Sequence, residues 1–176
     1  KVVSNDTIVC PGSVATFTSS FAGLTYEWIV YDSLSTSTYT TAAINHTFNN
    51  LGTYLVTLQT SSTCCGKSKI DTFEVDVVPF LDAEVYINAS AMTICENEAV
   101  NFGASAINGG TSPGFQWLLN GSGIPGANLS TYTTTTLNDG DQISCIMTSS
   151  YPCPLGSPVT SQPITMSVLP APQINC

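Results

Sequence analysis

From Gly52 to Leu58 the chain reads Gly-Thr-Tyr-Leu-Val-Thr-Leu, and Tyr54, Val56 and Leu58 alternate with Thr53, Leu55 and Thr57. A period of two is that of a strand with one face buried. The same alternation places Ala15, Phe17 and Ser19 on one face of Ser13 to Ser19, and Tyr26, Trp28 and Val30 on one face of Leu24 to Tyr31. It recurs in Phe73, Val75 and Val77, in Val100, Phe102 and Ala104, and in Phe115, Trp117 and Leu119. Gln142 to Met147 continues the series, and Ile164, Met166 and Val168 read as one closing strand. Turn signals punctuate these runs: Cys10-Pro-Gly12, Asn49-Asn-Leu-Gly52, Asn120-Gly121 and Asn138-Asp-Gly-Asp141. The hydroxyl-rich run from Ser33 to Thr41 reads as an edge or a loop. The expected class is all-β.

The pattern repeats. Cys64 follows Trp28, and Cys153 follows Trp117, by 36 residues in each case, while Val56 and Cys145 both stand 28 residues after their Trp. A chain of 176 residues with such self-similarity reads as two tandem β-sandwiches of Greek-key type, residues 1–79 and 80–170, each just large enough for a modest core. Residues 171–176, ending at Cys176, read as a tail or the start of a following domain. The short Val77-Val-Pro-Phe-Leu81 junction predicts little slack between the two.

Charge narrows the functional classes. Twelve acids face only Lys1, Lys67 and Lys69, with no arginine, for a net charge of −9. Recognition of a phosphate backbone or an anionic membrane surface runs through Lys and Arg, so nucleic acid and membrane are excluded as expected partners. No apolar run is long enough to span a bilayer. Seven cysteines in so small a chain point to an oxidising, extracellular compartment.

The repeat also suggests how the cysteines pair. Cys10 and Cys95 each precede a core Phe (Phe17, Phe102) by seven residues, so the spacing pairs Cys10 with Cys64 and Cys95 with Cys153. Each bridge would stabilise by roughly 4 kcal/mol on the chain-entropy model. Cys145 reads as a buried thiol acting as a small hydrophobe, or as one half of a bridge whose partner strand has no cysteine. Cys65 is left over, or forms a vicinal bridge with Cys64. With one histidine and scattered cysteines, the residues do not make a zinc site.

Any mechanism needing an imidazole must use His46, the one histidine. It sits in a strand-like segment, and no nucleophile elbow or phosphate loop accompanies it, so the expectation is a non-enzyme with no cofactor. Asp71, Glu74, Asp76, Asp82 and Glu84 gather in sequence around the junction. Five oxygen ligands there could hold a structural Ca²⁺; the alternative is a solvated outer face. Asn-x-Ser/Thr sequons stand at Asn5, Asn45, Asn88, Asn120 and Asn128.

Two resemblances sharpen this. Tyr26-Glu-Trp28, His46-Thr-Phe48 and Gly52-Thr-Tyr-Leu-Val-Thr-Leu58 resemble the PKD domain, with Tyr31-Asp-Ser-Leu34 in place of that family's Gly-Asp-Gly-like turn. The second copy, from Ile94-Cys-Glu-Asn97 through Asn138-Asp-Gly-Asp141 to Ser157–Val168, resembles the Ig-like repeats of large Bacteroidota surface proteins, including gliding and adhesion proteins exported by the type IX system. That resemblance implies O-glycosylation at Thr7 and Ser33, in Asp-Thr/Ser-apolar motifs. It also implies a non-catalytic segment of a large secreted or cell-surface protein, serving as adhesive or stiff spacer repeats. Its partners would be neighbouring repeats of the same chain and surface polysaccharide or protein. The rival readings are a subunit of an extracellular filament or sheath, assembling through strand edges poor in lysine, and a spacer module of a secreted hydrolase.

Overall fold

The structure is a computed structural model and describes residues 2–4, 7–20, 24–32, 35–62 and 68–170. The described residues form strands and turns without a helix. The chain divides into two compact units, Lys1–Phe80 and Leu81–Cys176.

In the first unit β1 (Val2–Ser4), β2 (Ile8–Val9), β3 (Ser13–Ser19), β4 (Thr25–Tyr31), β5 (Thr36–Tyr39), β6 (Ala43–Phe48), β7 (Gly52–Ser61) and β8 (Ser68–Val77) make two sheets. One has the order β1-β3-β6 and the other β2-β8-β7-β4-β5. The longest pairing is β7 with β8, from Gly52 opposite Val77 to Ser61 opposite Ser68. The alternation of β7 is realised as read: Tyr54, Val56 and Leu58 are buried, and Thr53 and Leu55 are exposed. Phe17 and Phe48 of the smaller sheet meet Trp28, Val56, Leu58 and Val75 of the larger one in a single core. Two half-apolar sheets packed face to face bury both apolar faces, which is what makes the sandwich stable. The hydroxyl-rich Thr36–Tyr39 stretch forms the edge strand β5, paired only with β4.

The second unit contains β9 (Leu81–Asp82), β10 (Glu84–Ala89), β11 (Thr93–Cys95), β12 (Val100–Ile107), β13 (Gly114–Leu119), β14 (Ser122–Gly123), β15 (Thr131–Thr134) and β16 (Gln142–Thr148). It ends with four short pieces, β17 (Pro154–Leu155), β18 (Val159–Thr160), β19 (Ile164–Thr165) and β20 (Ser167–Leu169). One sheet runs β10-β12-β15, the other β14-β13-β16-β18 with β19 also on β16. Asn120 and Gly121 take φ of 51° and 79° and close the β13–β14 hairpin, the left-handed pair that Asn-Gly accommodates with least cost. Phe102, Trp117, Ile143, Cys145 and Met166 centre the main core.

The two units share a topology. β1 pairs antiparallel with β3 and then β2 crosses to pair parallel with β8; likewise β10 pairs with β12 and β11 crosses to pair parallel with β20. β4, β7 and Trp28 in the first unit correspond to β13, β16 and Trp117 in the second. The copies differ at their last strand. Where β8 runs unbroken, residues 154–169 split into pieces on different partners, so the single closing strand expected from Ile164, Met166 and Val168 is not formed. Pro158 and Pro163 bring no backbone N–H to a ladder, and the Val168 N–H is taken by the Asp139 carboxylate at 3.0 Å.

This arrangement corrects one disulfide. Cys95 is free and exposed, and Cys153 is disulfide-bonded with another partner. Cys95 ends β11 beside Leu169, past the Ala89 end of β10, whereas the Cys153 carbonyl accepts from Leu81 N–H, before the Glu84 end. The six residues of β10 alone span about 20 Å, and a disulfide needs Cα atoms within about 7 Å. Cys10 is also disulfide-bonded; Cys64, with which the repeat paired it, lies outside the described residues, as do Cys65 and Cys176.

Candidate functional site

A polar recess in the first unit lies at the turn between β6 and β7. A cavity of about 190 Å³ is lined by Asp32, Ser35, Ser37, His46, Asn50 and Tyr54, among others. Period two directs Tyr54 inward at the start of β7, and its ring packs edge-on against Phe48 at 4.8 Å. The Tyr54 hydroxyl stands 3.2 Å from both Asp32 Oδ2 and the Asn50 carbonyl, to one of which it donates, and it accepts the Asn50 N–H at 3.3 Å. Asn50 Nδ2 donates to the same Asp32 oxygen at 3.2 Å. A tyrosine at the start of a strand bonding back to the preceding turn is a known corner device of sandwiches. Burial pushes the Tyr54 phenol up from its ordinary value.

His46 lines the same recess but is already occupied. Its Nδ1 is 2.8 Å from the Tyr39 hydroxyl, and its ring lies 4.7 Å from that of Phe48. Burial holds the imidazole below its ordinary value, with the Asp32 charge pulling the other way. The carboxylate and phenol that could serve acid–base chemistry here are held, with the Asn50 amide, by one another and the turn.

The second unit solves the same corner differently. By strand register Asp141, a buried carboxylate, stands where the first unit has Tyr54, each four residues before the residue that faces the Trp. Its Oδ2 accepts the Asn138 N–H at 2.7 Å and its Oδ1 accepts Asn120 Nδ2 at 2.8 Å. The Asn138 backbone and then the Asn120 amide hold this carboxyl below the usual carboxylate range. Both tryptophans are fully buried, and each indole Nε1 donates to a carbonyl on the edge of the opposing chain segment: Trp28 to Thr41 and Trp117 to Leu129, both at 2.9 Å. Cys145 is the buried thiol of the second core, raised in pKa by burial.

Within the first unit the acids proposed as calcium ligands do not lie together. Asp71 shares the core-facing side of β8 with Phe73 and Val75, whereas Glu74 and Asp76 lie on the outer side. Asp71 pairs with Lys69 at 3.0 Å, Asp76 accepts Thr53 Oγ1 at 2.7 Å, and Glu84 accepts the Tyr86 hydroxyl. No three His, Cys, Asp or Glu side chains converge on a metal position among the described residues. Alternation along a strand separates odd from even positions, so a run of acids in sequence is not a cluster in space. Thr7 is exposed, with its backbone carbonyl accepting the Asp76 N–H at 2.8 Å. Ser33 lies outside the described residues.

Two units of matching strand order, each built on a buried Trp and closed by a polar corner, make a tandem of β-sandwich domains. No family model matches the chain, and no curated protein sequence does. Among solved structures, murine CEACAM1b is similar at 12% identity, over 96% of this chain and 100% of that one, with a TM-score of 0.54. Fibronectin(III)-like modules of Clostridium thermocellum CbhA are similar at 16% identity, over 96% of this chain and 93% of that one, with a TM-score of 0.49. At such identities the first likeness speaks to the fold alone.

Proposed function

We propose that the chain is a non-catalytic segment of a secreted or cell-surface protein, in which immunoglobulin-like sandwiches serve as adhesive or spacer repeats. The observation that carries this reading is how the convergent polar groups are used. Asp32, Asn50 and Tyr54 in one unit, and Asp141, Asn138 and Asn120 in the other, are engaged with one another and with turn backbone, closing the corner before the central strand. No buried side-chain polar atom among the described residues is left without a partner, so these groups read as structural. The disulfide-bonded Cys10 and Cys153 suit an oxidising, extracellular setting.

The finer assignment is to PKD-like and Ig-like repeats of a Bacteroidota type IX-exported protein in adhesion or gliding. The PKD-like part is supported by the residues Tyr26 to Trp28, His46 to Phe48 and Gly52 to Leu58, and the Ig-like part and its lineage by Ile94 to Asn97, Asn138 to Asp141 and Ser157 to Val168. The partners would be neighbouring repeats and surface polysaccharide or protein, without nucleic acid or membrane insertion. A glycan and peptide hydrolysis screen of the whole chain tests the reading: no turnover is expected, in the wild type or in His46→Ala. Turnover by the wild type that is lost in His46→Ala would overturn it.

A further inference from the structure

The β10 edge of the second unit is open along part of its length, and its hydrogen-bonding pattern can be worked out residue by residue. β10 pairs antiparallel with β12, Glu84 opposite Ile107 and Ala89 opposite Phe102. The Ser90 N–H donates to the Asn101 carbonyl, in register with that ladder. Backbone groups in an antiparallel ladder alternate between partner and outside, so Glu84, Tyr86 and Asn88 bond inward to β12 while Val85, Ile87 and Ala89 point their N–H and C=O groups outward. The same parity directs the Ala83 N–H outward, where it meets the Leu155 carbonyl of β17 at 2.9 Å. After Leu155 the chain leaves this edge for the other sheet, pairing as β18 with β16. The edge is therefore capped as far as Ala83, and beyond it no described strand pairs with Val85, Ile87 or Ala89. It borders a groove of about 340 Å³ whose other wall includes Val159, Pro163 and Ile164.

Edge strands are ordinarily protected by lysine, proline or a bulge. Residues 81–176 contain no Lys or Arg, and residues 84–89 contain no Pro. Tyr86 is exposed on the outer face of the strand. What fits this edge can be read from its own sequence. If a second copy of the strand is laid antiparallel with Ile87 opposite itself, Val85 falls opposite Ala89 and all three outward-facing residues on each chain are paired. On the other face Tyr86 falls opposite Asn88 and Glu84 opposite Ser90, so no like charges meet. The neighbouring register, with Tyr86 opposite itself, would set Ala89 against Ala83, whose N–H is already taken by Leu155. The geometry points to a second copy of this chain as the occupant: β10 joins β10 of the other copy about a two-fold axis, making one continuous sheet across two molecules. This goes beyond the repeat reading and stands on the open edge alone. A contact of one six-residue strand buries less than the roughly 1,200 Å² typical of stable complexes, so the association is weak and concentration-dependent.

The register supplies its own test. Tyr86 and Asn88 would form a non-hydrogen-bonded pair with Cα atoms about 4.5 Å apart, within disulfide range, and both are exposed. In a Cys95→Ser background, which removes the exposed free thiol found among the described residues, Tyr86→Cys and Asn88→Cys chains would be mixed in equal amounts and oxidised at concentrations up to about 1 mM. The proposal expects a covalent dimer in the mixture linked from 86 to 88, and little with either variant alone. It also expects the mass of the wild type in sedimentation to rise with concentration, and Tyr86→Lys to stay monomeric. Cross-linking of Tyr86→Cys with itself as readily as in the mixture, or a monomeric mass throughout the range, would overturn it.

Discussion

Trp28 and Trp117 occupy equivalent positions, fully buried, with an indole N–H spent on a backbone carbonyl 12 or 13 residues on. The ring supplies apolar area and the Nε1 fixes the edge segment that crosses above it, so the two contributions are separable. Replacing either residue by Phe should keep most of the area and cost about 1–3 kcal/mol for the orphaned carbonyl and the volume lost; replacement by Ala should cost about 3–5 kcal/mol. Urea unfolding of the four variants gives the comparison. A Phe variant as damaging as its Ala counterpart would show that the N–H carries little. Asp141 makes the charge-dependent contribution. Its carboxyl is held below the ordinary value of 3.8, so the unfolded chain binds the proton more readily. Its stabilisation is complete above that value and is lost as pH falls through it toward the folded pKa. Asp141→Asn should cost about 1–3 kcal/mol at neutral pH and remove that acid-side component, measured as thermal stability between pH 7 and pH 3. The His46 imidazole is likewise depressed, so its effect is a loss of stability as pH falls below 6.5, and His46→Gln should flatten the profile there.

At the scale of elements, alternation made most of the fold legible. Buried Tyr54, Val56 and Leu58 on β7, Phe17 on β3 and Phe102 on β12 stand where a period of two put them, and Asn120-Gly121 closes its hairpin. The closing strand of the second unit was not legible, because Ile164, Met166 and Val168 keep the period while Pro163 and the Asp139 carboxylate redistribute their backbone pairing. The disulfide reading failed for a geometric reason. Equal spacing from Trp to Cys in two copies says nothing about which points are neighbours, and the copies are two residues out of step, since Leu58 faces Trp28 while Cys145 faces Trp117. Cys95 and Cys153 hold equivalent stations to Cys10 and Cys64 in sequence, yet lie at opposite ends of the second sandwich. The corner of the first unit was partly visible, since Tyr54 and His46 were picked out, but Asp32 was not. Its contribution depends on β4 ending beside the β6–β7 turn, a juxtaposition that no local pattern encodes.

For the whole molecule, the account rests on a repeated topology: two sandwiches whose first strand switches sheets, whose Trp strand lies against the central strand, and whose cysteines fall at defined ends. That topology gives the four described cysteines three chemical fates. Mass spectrometry with differential alkylation reads all of them at once. The native protein should label at Cys95, the denatured unreduced protein should label additionally at Cys145, and Cys10 and Cys153 should label only after reduction. A peptide linking Cys95 to Cys153, or ready alkylation of Cys145 in the folded protein, would contradict the strand order on which the rest depends.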